Sequence, residues 1–501
     1  MGNRTSRPRC RPALLVLAVA AGAGPLAAQS ISLKTVPIAT GEQYLVFPSR
    51  SLGMGGLSVA YDDPLQDAFA NPARGARLSG TWLIATPTTY GDGDARTVSG
   101  HTLPLAITFG GDRWFGTATV ALQELATPDR QQFWWMPVLQ DGSLLRDNAA
   151  TNAYVSGSLG RTFDRGRTAI GVSAFHADLD AIDGVGQLYA NSVALSQSGT
   201  VTDLRVGVLR DLGGERRIEG MIGKSDVDMT HDVVYLDWLP WDSMQPNWPN
   251  VRARTEENLD RTTTWSGSLR YTAPGGDPGL RWGLMLIGNT KSHPKIPNYD
   301  LVNIPRDPGN SAIFGIGAGI TSRQRGTLIG AELMIQPGHS HTWAYADSAT
   351  MTPGGILQKG DKTVDNEFRF ANATVALGFE HEWEPASVQL GLRVNRYAYH
   401  LDQQNFLRDT TVATDESWIE WSPSWGGALK LGRAEVRYSG RWVAKGFDFP
   451  GGEVWLVRAE ADVALPGGND FIVAPTDPVN LPDFRVVTHR LAVVVPLSGR
   501  R

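Results

Sequence analysis

The sequence is nearly without cysteine. Cys10 is the only one, and it lies ahead of the apolar run from Ala13 to Ala23. It therefore leaves with the leader described below, and the mature chain has neither a disulfide framework nor a cysteine metal site. Long hydrophobic runs are missing too. No segment after that leader reaches the roughly 18 consecutive apolar residues a membrane helix needs. An exported chain of this kind can cross a bilayer only as a closed barrel, because lipid leaves no other way to satisfy the backbone. Positive charge is in deficit: the formal net charge is −5, and −9 once Arg4, Arg7, Arg9 and Arg11 are removed, which argues against nucleic acid as a partner. Catalytic patterns are lacking as well. There is no phosphate loop, Gly-x-Ser-x-Gly elbow or zinc signature. His101, His176, His231, His293, His381, His400 and His489 are scattered with no partner spacing. His339-Ser340-His341 reads as a solvent-exposed pair in a polar loop. The expectation is a protein that is not an enzyme and holds no cofactor or metal.

The four arginines followed by the apolar run and by Gly24-Pro25-Leu26-Ala27-Ala28 form a secretory signal peptide, residues 1–28, with cleavage expected after Ala28. The whole chain has 501 residues with 56 Gly, 30 Pro and 16 Trp, too long for one ordinary globular domain unless that domain is a large barrel. Its mean hydropathy of −0.20 would fit a soluble protein. Barrels give the same value, since only alternate strand residues face lipid.

Period-2 alternation is the dominant pattern. In Val388-Gln389-Leu390-Gly391-Leu392-Arg393-Val394-Asn395 the apolar residues take every even position. Residues 434–442, 203–208 and 264–271 repeat the pattern. Short turns near residues 110–113, 164–167, 212–216, 322–326, 384–387 and 431–434 alternate with long connections at 126–150, 179–199, 230–260, 292–310, 336–366 and 402–416. A β-sandwich has no reason to sort its loops by length, whereas an outer-membrane barrel has short periplasmic turns and long extracellular loops. The reading is an all-β fold, a transmembrane antiparallel β-barrel of 14 to 16 strands over residues 79–501, in the bacterial outer membrane and monomeric. Each strand is expected near the ~10 residues a tilted strand needs to span the bilayer. Residues 454–465 are expected as part of a hairpin within the last extracellular loop. The final strand, 484–497, carries Leu491, Val493, Val495 and Leu497 on one apolar face.

Ahead of the strands, residues 29–78 form a separate segment. Its centre is Ser51-Leu52-Gly53-Met54-Gly55-Gly56-Leu57-Ser58-Val59-Ala60-Tyr61-Asp62-Asp63, followed by Asn71-Pro72-Ala73. Three glycines in four positions are backbone suited to fit tightly against something else. These residues resemble the plug of the FadL-like outer-membrane barrels and of their PorV-type relatives. Where that superfamily usually continues Asn-Pro-Ala with Gly-Leu, this chain has Arg74-Gly75, which leaves the branch open. The resemblance implies a plug within the barrel lumen and, in the FadL-like branch, a groove between extracellular loops that captures a hydrophobic substrate.

Two sets of candidate residues follow. Alternation puts Arg205, Arg270, Arg393, Arg437, Arg441, Glu380 and Glu435 on the inward face, where they are expected to pair with one another and with the plug. Asp62 and Asp63 are natural partners for the lumen arginines. The second set is a pair of apolar loop segments: Phe133, Trp134, Trp135 and Met136 in one, and Trp238, Leu239, Trp241, Met244 and Trp248 in the other. Clustered apolar side chains in extracellular loops suit a ligand groove as well as an aromatic girdle with lid packing. The expected partners are outer-membrane lipid and a hydrophobic small molecule of the fatty-acid or hydrocarbon kind. The rival expectation is a PorV-like barrel that docks secreted proteins on the same tryptophans.

Overall fold

The computed structural model describes residues 51–63, 69–92, 99–126, 149–181, 194–238, 251–293, 309–346, 349–445 and 485–498. Alternation becomes one closed antiparallel sheet with sixteen strand positions. The strands are β1 (Gly80–Ala85), β2 (Thr88–Asp92), β3 (Ser99–Gly110), β4 (Trp114–Ala126), β5 (Ala149–Phe163), β6 (Thr168–Leu179), β7 (Ala194–Gly213) and β8 (Arg216–Trp238). They continue as β9 (Val251–Pro274), β10 (Leu280–His293), β11 (Gly309–Gln324), β12 (Thr327–Tyr345), β15 (Lys362–Trp383), β16 (Ala386–Asn405), β17 (Thr410–Leu431), β18 (Ala434–Lys445) and β19 (Arg485–Ser498). A small separate hairpin, β13 (Thr350–Thr352) with β14 (Gly355–Leu357), stands between β12 and β15.

Each strand pairs with its sequence neighbour, and β1 and β2 share the position that closes the ring between β19 and β3. Between them the wall is interrupted at Thr86-Pro87. Pro87 has no N–H to give the ladder, and Pro104 on the facing strand has none either. The edge is still held there, by the Thr86 amide on the Pro104 carbonyl (3.1 Å) and the Leu491 amide on the Pro87 carbonyl (3.0 Å).

Tight turns gather at one end. The β11–β12 turn is two residues, Arg325 (φ 48°) and Gly326 (φ 80°), both left-handed as a type I′ hairpin requires. The turn 275–279, Gly-Gly-Asp-Pro-Gly, belongs to the same end. Strand lengths depart from expectation: β9 runs 24 residues and β8 23, against the ten or so a bilayer needs. The connection expected at 402–416 is only residues 406–409, and that expected at 336–366 is mostly strand plus the β13–β14 hairpin. His339 and His341 therefore sit on β12 and not in a loop, with His341 hydrogen-bonded to Asp365 at 2.5 Å. The hairpin expected around 454–465 and the signal peptide lie outside the described residues.

The outward face explains the extra length. Leu105, Ile107, Val120, Leu122, Val172, Val206, Ile222, Leu286, Ile316, Leu333, Leu377 and Leu390 are all exposed, and such residues recur on strands all round the ring. They form the continuous apolar belt of a transmembrane barrel. Near the tight turns the belt is bordered by outward Trp114, Phe163, Trp282 and Trp383, an interfacial aromatic girdle in which Arg161 lies over the Trp114 and Phe163 rings at 5.4 Å. Beyond the belt, towards the long loops, the outward residues become Glu367, Arg369, His400 and Asp402, which pair among themselves. There the strands rise clear of the apolar layer and continue as a polar-faced wall.

Candidate functional site

A sixteen-strand ring is too wide for wall side chains to fill, and it leaves an aqueous channel unless a separate segment occupies the lumen. At the tight-turn end that filling is the chain ahead of β1. Residues Ser51–Met54 form a 3-10 turn, and Gly55 and Gly56 follow at φ 70° and 69°, a conformation that strains any residue with a side chain. The fit is close from both sides: a Cβ at Gly391 would collide with the Gly55 amide nitrogen, and one at Gly378 would meet the Met54 carbonyl at 2.7 Å. Of the expected plug residues, Leu52 and Met54 are buried, and Met54 packs with Leu57, Tyr61, Leu328 and Ala376. Further on, Asn71 receives the Ala73 amide on its side chain (3.1 Å) to start a second 3-10 turn, Pro72–Arg77. That turn buries Ala73 against Phe115, Ala169 and Leu209.

Polar contacts fix the segment to the wall along its length. The Gly55 amide donates to Ser424 Oγ (2.9 Å), and Arg393 donates to the carbonyls of Gly55 and Gly56 (3.1 and 2.8 Å). The Glu332 carboxylate accepts the amides of Ser58, Val59 and Ala60 at 2.6–3.2 Å. Arg270, only 2 % exposed, donates to the carbonyls of Val59 and Tyr61 and to Asp62, and it also reaches Glu219 at 2.8 Å. Glu219 in turn pairs with Arg74. Asp62 is the hub: Arg77, Arg217, Arg270 and Arg281 all lie within 2.5–3.2 Å of its carboxylate. Burial pushes the Asp62 carboxyl up, but Arg270, Arg77, Arg281 and Arg74 outweigh burial and hold it well below the usual carboxylate range. Asp63 accepts the Ser51 amide at 3.3 Å.

The remaining lumen charges behave alike. Arg205 pairs with Asp203 (2.6 Å) and donates to the Ala70 carbonyl, and Arg437 pairs with Glu435 at 2.6 Å. Glu380 is fully buried between Gln389 (2.7 Å) and Arg323 (3.2 Å). Arg441 faces inward opposite Ser424. Sequence pattern alone does not single out Glu332, Glu219, Arg281 and Ser424, although Glu332 carries a signal: it is a lone acid on the inward face of Ala331-Glu332-Leu333-Met334.

Above the plug the described lumen wall changes character. On β4–β8, Ala121, Tyr154, Phe175, Ala177, Leu179, Val201 and Met229 form a buried apolar cluster. At its edge Tyr154 donates to Gln123, and Asn152 ties Gln123 to the carbonyl of Ala181. On β15–β16, Phe368, Phe370, Tyr397, Tyr399 and Leu401 form a second cluster. The candidate ligand residues Phe133, Trp134, Trp135, Met136, Leu239, Trp241, Met244 and Trp248 lie outside the described residues. Trp238 is the last residue of β8, and only its backbone is described.

No protein-family model matches the chain, and no curated protein is similar to it in sequence. Among solved structures, it is similar to the Ralstonia pickettii toluene transporter TbuX at 9% identity and TM-score 0.40, over 89% of this chain and 97% of that one. The CymD monoaromatic hydrocarbon channel matches at 12% identity and TM-score 0.39, over 91% and 98%. A bacterial polysaccharide outer membrane secretin matches at 7% identity and the same TM-score of 0.39, over 84% and 99%. Likeness this distant, to proteins with such different cargo, is no guide to substrate.

Proposed function

We propose that the chain is an outer-membrane channel for uptake of hydrophobic small molecules, fatty-acid or hydrocarbon-like, through a plugged barrel. The reading rests on the chemistry of the lumen above the plug, where Tyr154, Phe175, Leu179, Val201 and Met229 turn inward together. These side chains are buried against one another, and opening that apolar surface to water would cost about 25 cal/mol per Å². A pore for ions or sugars gains nothing from such a wall, whereas a hydrophobic solute recovers that energy on contact. The solute enters from the long-loop side, rests on the apolar wall, and leaves past the plug or sideways through the interrupted β1/β2 position.

Initial uptake of a radiolabelled alkane tests this in cells that make the protein. A Val201→Asp, Met229→Asp double variant that still reaches the membrane should slow uptake about tenfold, the effect of losing ~1.4 kcal/mol of apolar contact. Uptake no faster than in cells lacking the protein would overturn the reading and favour docking of secreted proteins on the outer loops.

A further inference from the structure

The upper part of the β12, β15 and β16 wall carries a second, differently built surface. Facing inward there are two layers. The lower is a ring layer in which Phe368 and Phe370 lie nearly parallel (5.9 Å between centroids, 6°) and Tyr399 sets its edge to both, at 5.7 and 6.1 Å. Strand register puts an amide layer directly above: Asn366 is opposite Gln403, one inward step beyond Phe368 opposite Leu401. Gln403 donates its amide to Asn366 (2.9 Å), and Asn366 donates to Thr342 of β12. Asn405 receives the Arg408 amide on its side-chain oxygen at 3.0 Å.

Two atoms in this layer are left over. Gln403 Oε1 and Asn405 Nδ2 have no hydrogen-bond partner, although both residues are only 1 % exposed. Buried amide groups without partners are costly and rare, so a leftover acceptor and donor side by side call for an explanation. Their residues take successive inward positions on one strand, with Cα atoms about 7 Å apart. A single hydroxyl with one water beside it spans a gap of that order. No Lys, Arg or His faces inward from β12, β15 or β16 within these two layers. A carboxylate buried there would meet no cation on these three strands, the buried Lys291 on β10 being two strands away.

We infer that this wall is an entry site for an uncharged amphiphile, with its apolar ring or chain on Phe368, Phe370 and Tyr399 and a hydroxyl-like end between Gln403 and Asn405. The inference deepens the uptake reading and rests on it: it separates neutral alcohols and phenols from carboxylates and from bare hydrocarbons. A hydroxyl donates and accepts at once, which is what the two leftover atoms demand.

Equilibrium dialysis of the folded protein in detergent, against micelles alone, with benzyl alcohol, toluene and benzoate isolates the polar end on a constant ring. Benzyl alcohol should bind about fivefold tighter than toluene, the worth of one net hydrogen bond, with benzoate weakest. Gln403→Met keeps the volume and should abolish the preference for the alcohol while leaving toluene binding unchanged. Phe370→Leu should weaken all three together. Benzoate binding as tightly as the alcohol, or an unchanged preference in Gln403→Met, overturns the inference while leaving hydrophobic uptake standing. Absence of binding by all three removes the site, and the alkane uptake rate then decides separately whether the channel reading survives.

Discussion

Four guanidinium groups converge on the Asp62 carboxylate, and that convergence sets how the plug responds to acid. Because the folded carboxyl titrates well below its ordinary value of about 3.9, it contributes stability that is present above that value and is lost as pH falls through the lower folded one. Hydrogen exchange at the amides of residues 61–63, beside Asp62 and clear of the Glu332 carboxylate, should therefore stay slow from neutral pH down through about pH 4, and accelerate only in stronger acid. Asp62→Asn removes this shared anion at every pH. It should cost about 3 kcal/mol, read as an earlier urea midpoint for loss of amide protection, and the acid-dependent step should shrink. The pairing of acid with arginine was legible in residue type alone. The choice of partners was not, since Arg217, Arg270 and Arg281 lie 155, 208 and 219 residues from Asp62.

Strands are legible from alternation only while one face is apolar. In β16 that holds from Val388 to Val394 with the apolar face outward and from Tyr397 to Leu401 with it inward, but from there Asp402 and Gln404 look outward while Gln403 and Asn405 look inward. With both faces polar, the stretch reads as loop, and the 402–416 connection was expected for that reason; backbone pairing with β15 and β17 carries the strand onward regardless. The boundary is measurable by urea-induced unfolding of the barrel folded into lipid vesicles. Leu390→Arg, within the belt, should destabilise by about 2–4 kcal/mol, whereas Gln404→Arg, above it, should cost about 0–1 kcal/mol. Equal costs would mean that the apolar layer reaches further up the wall than the outward residues indicate.

At the scale of the whole molecule the barrel and the described residues ahead of β1 pack as one unit. A ring of this size without filling leaves an aqueous channel. Removing residues 51–78 should therefore convert a protein that conducts little in planar bilayers into an open pore with steady ion current, whereas the intact chain stays nearly closed. By itself the sequence determined the class of the molecule. Absence of a long apolar run excluded helices, period-2 alternation with sorted turns left a barrel, and Leu52-Gly53-Met54-Gly55-Gly56 marked backbone destined for close contact. These are local properties, readable within a few residues. Only the tertiary structure decided that Glu332 holds amides more than 270 residues away, that β1 and β2 together close the ring, and that rings and amides share one wall above the plug. Those arrangements depend on strand register and on how the sheet closes upon itself, and a shift of one residue would turn every inward side chain outward.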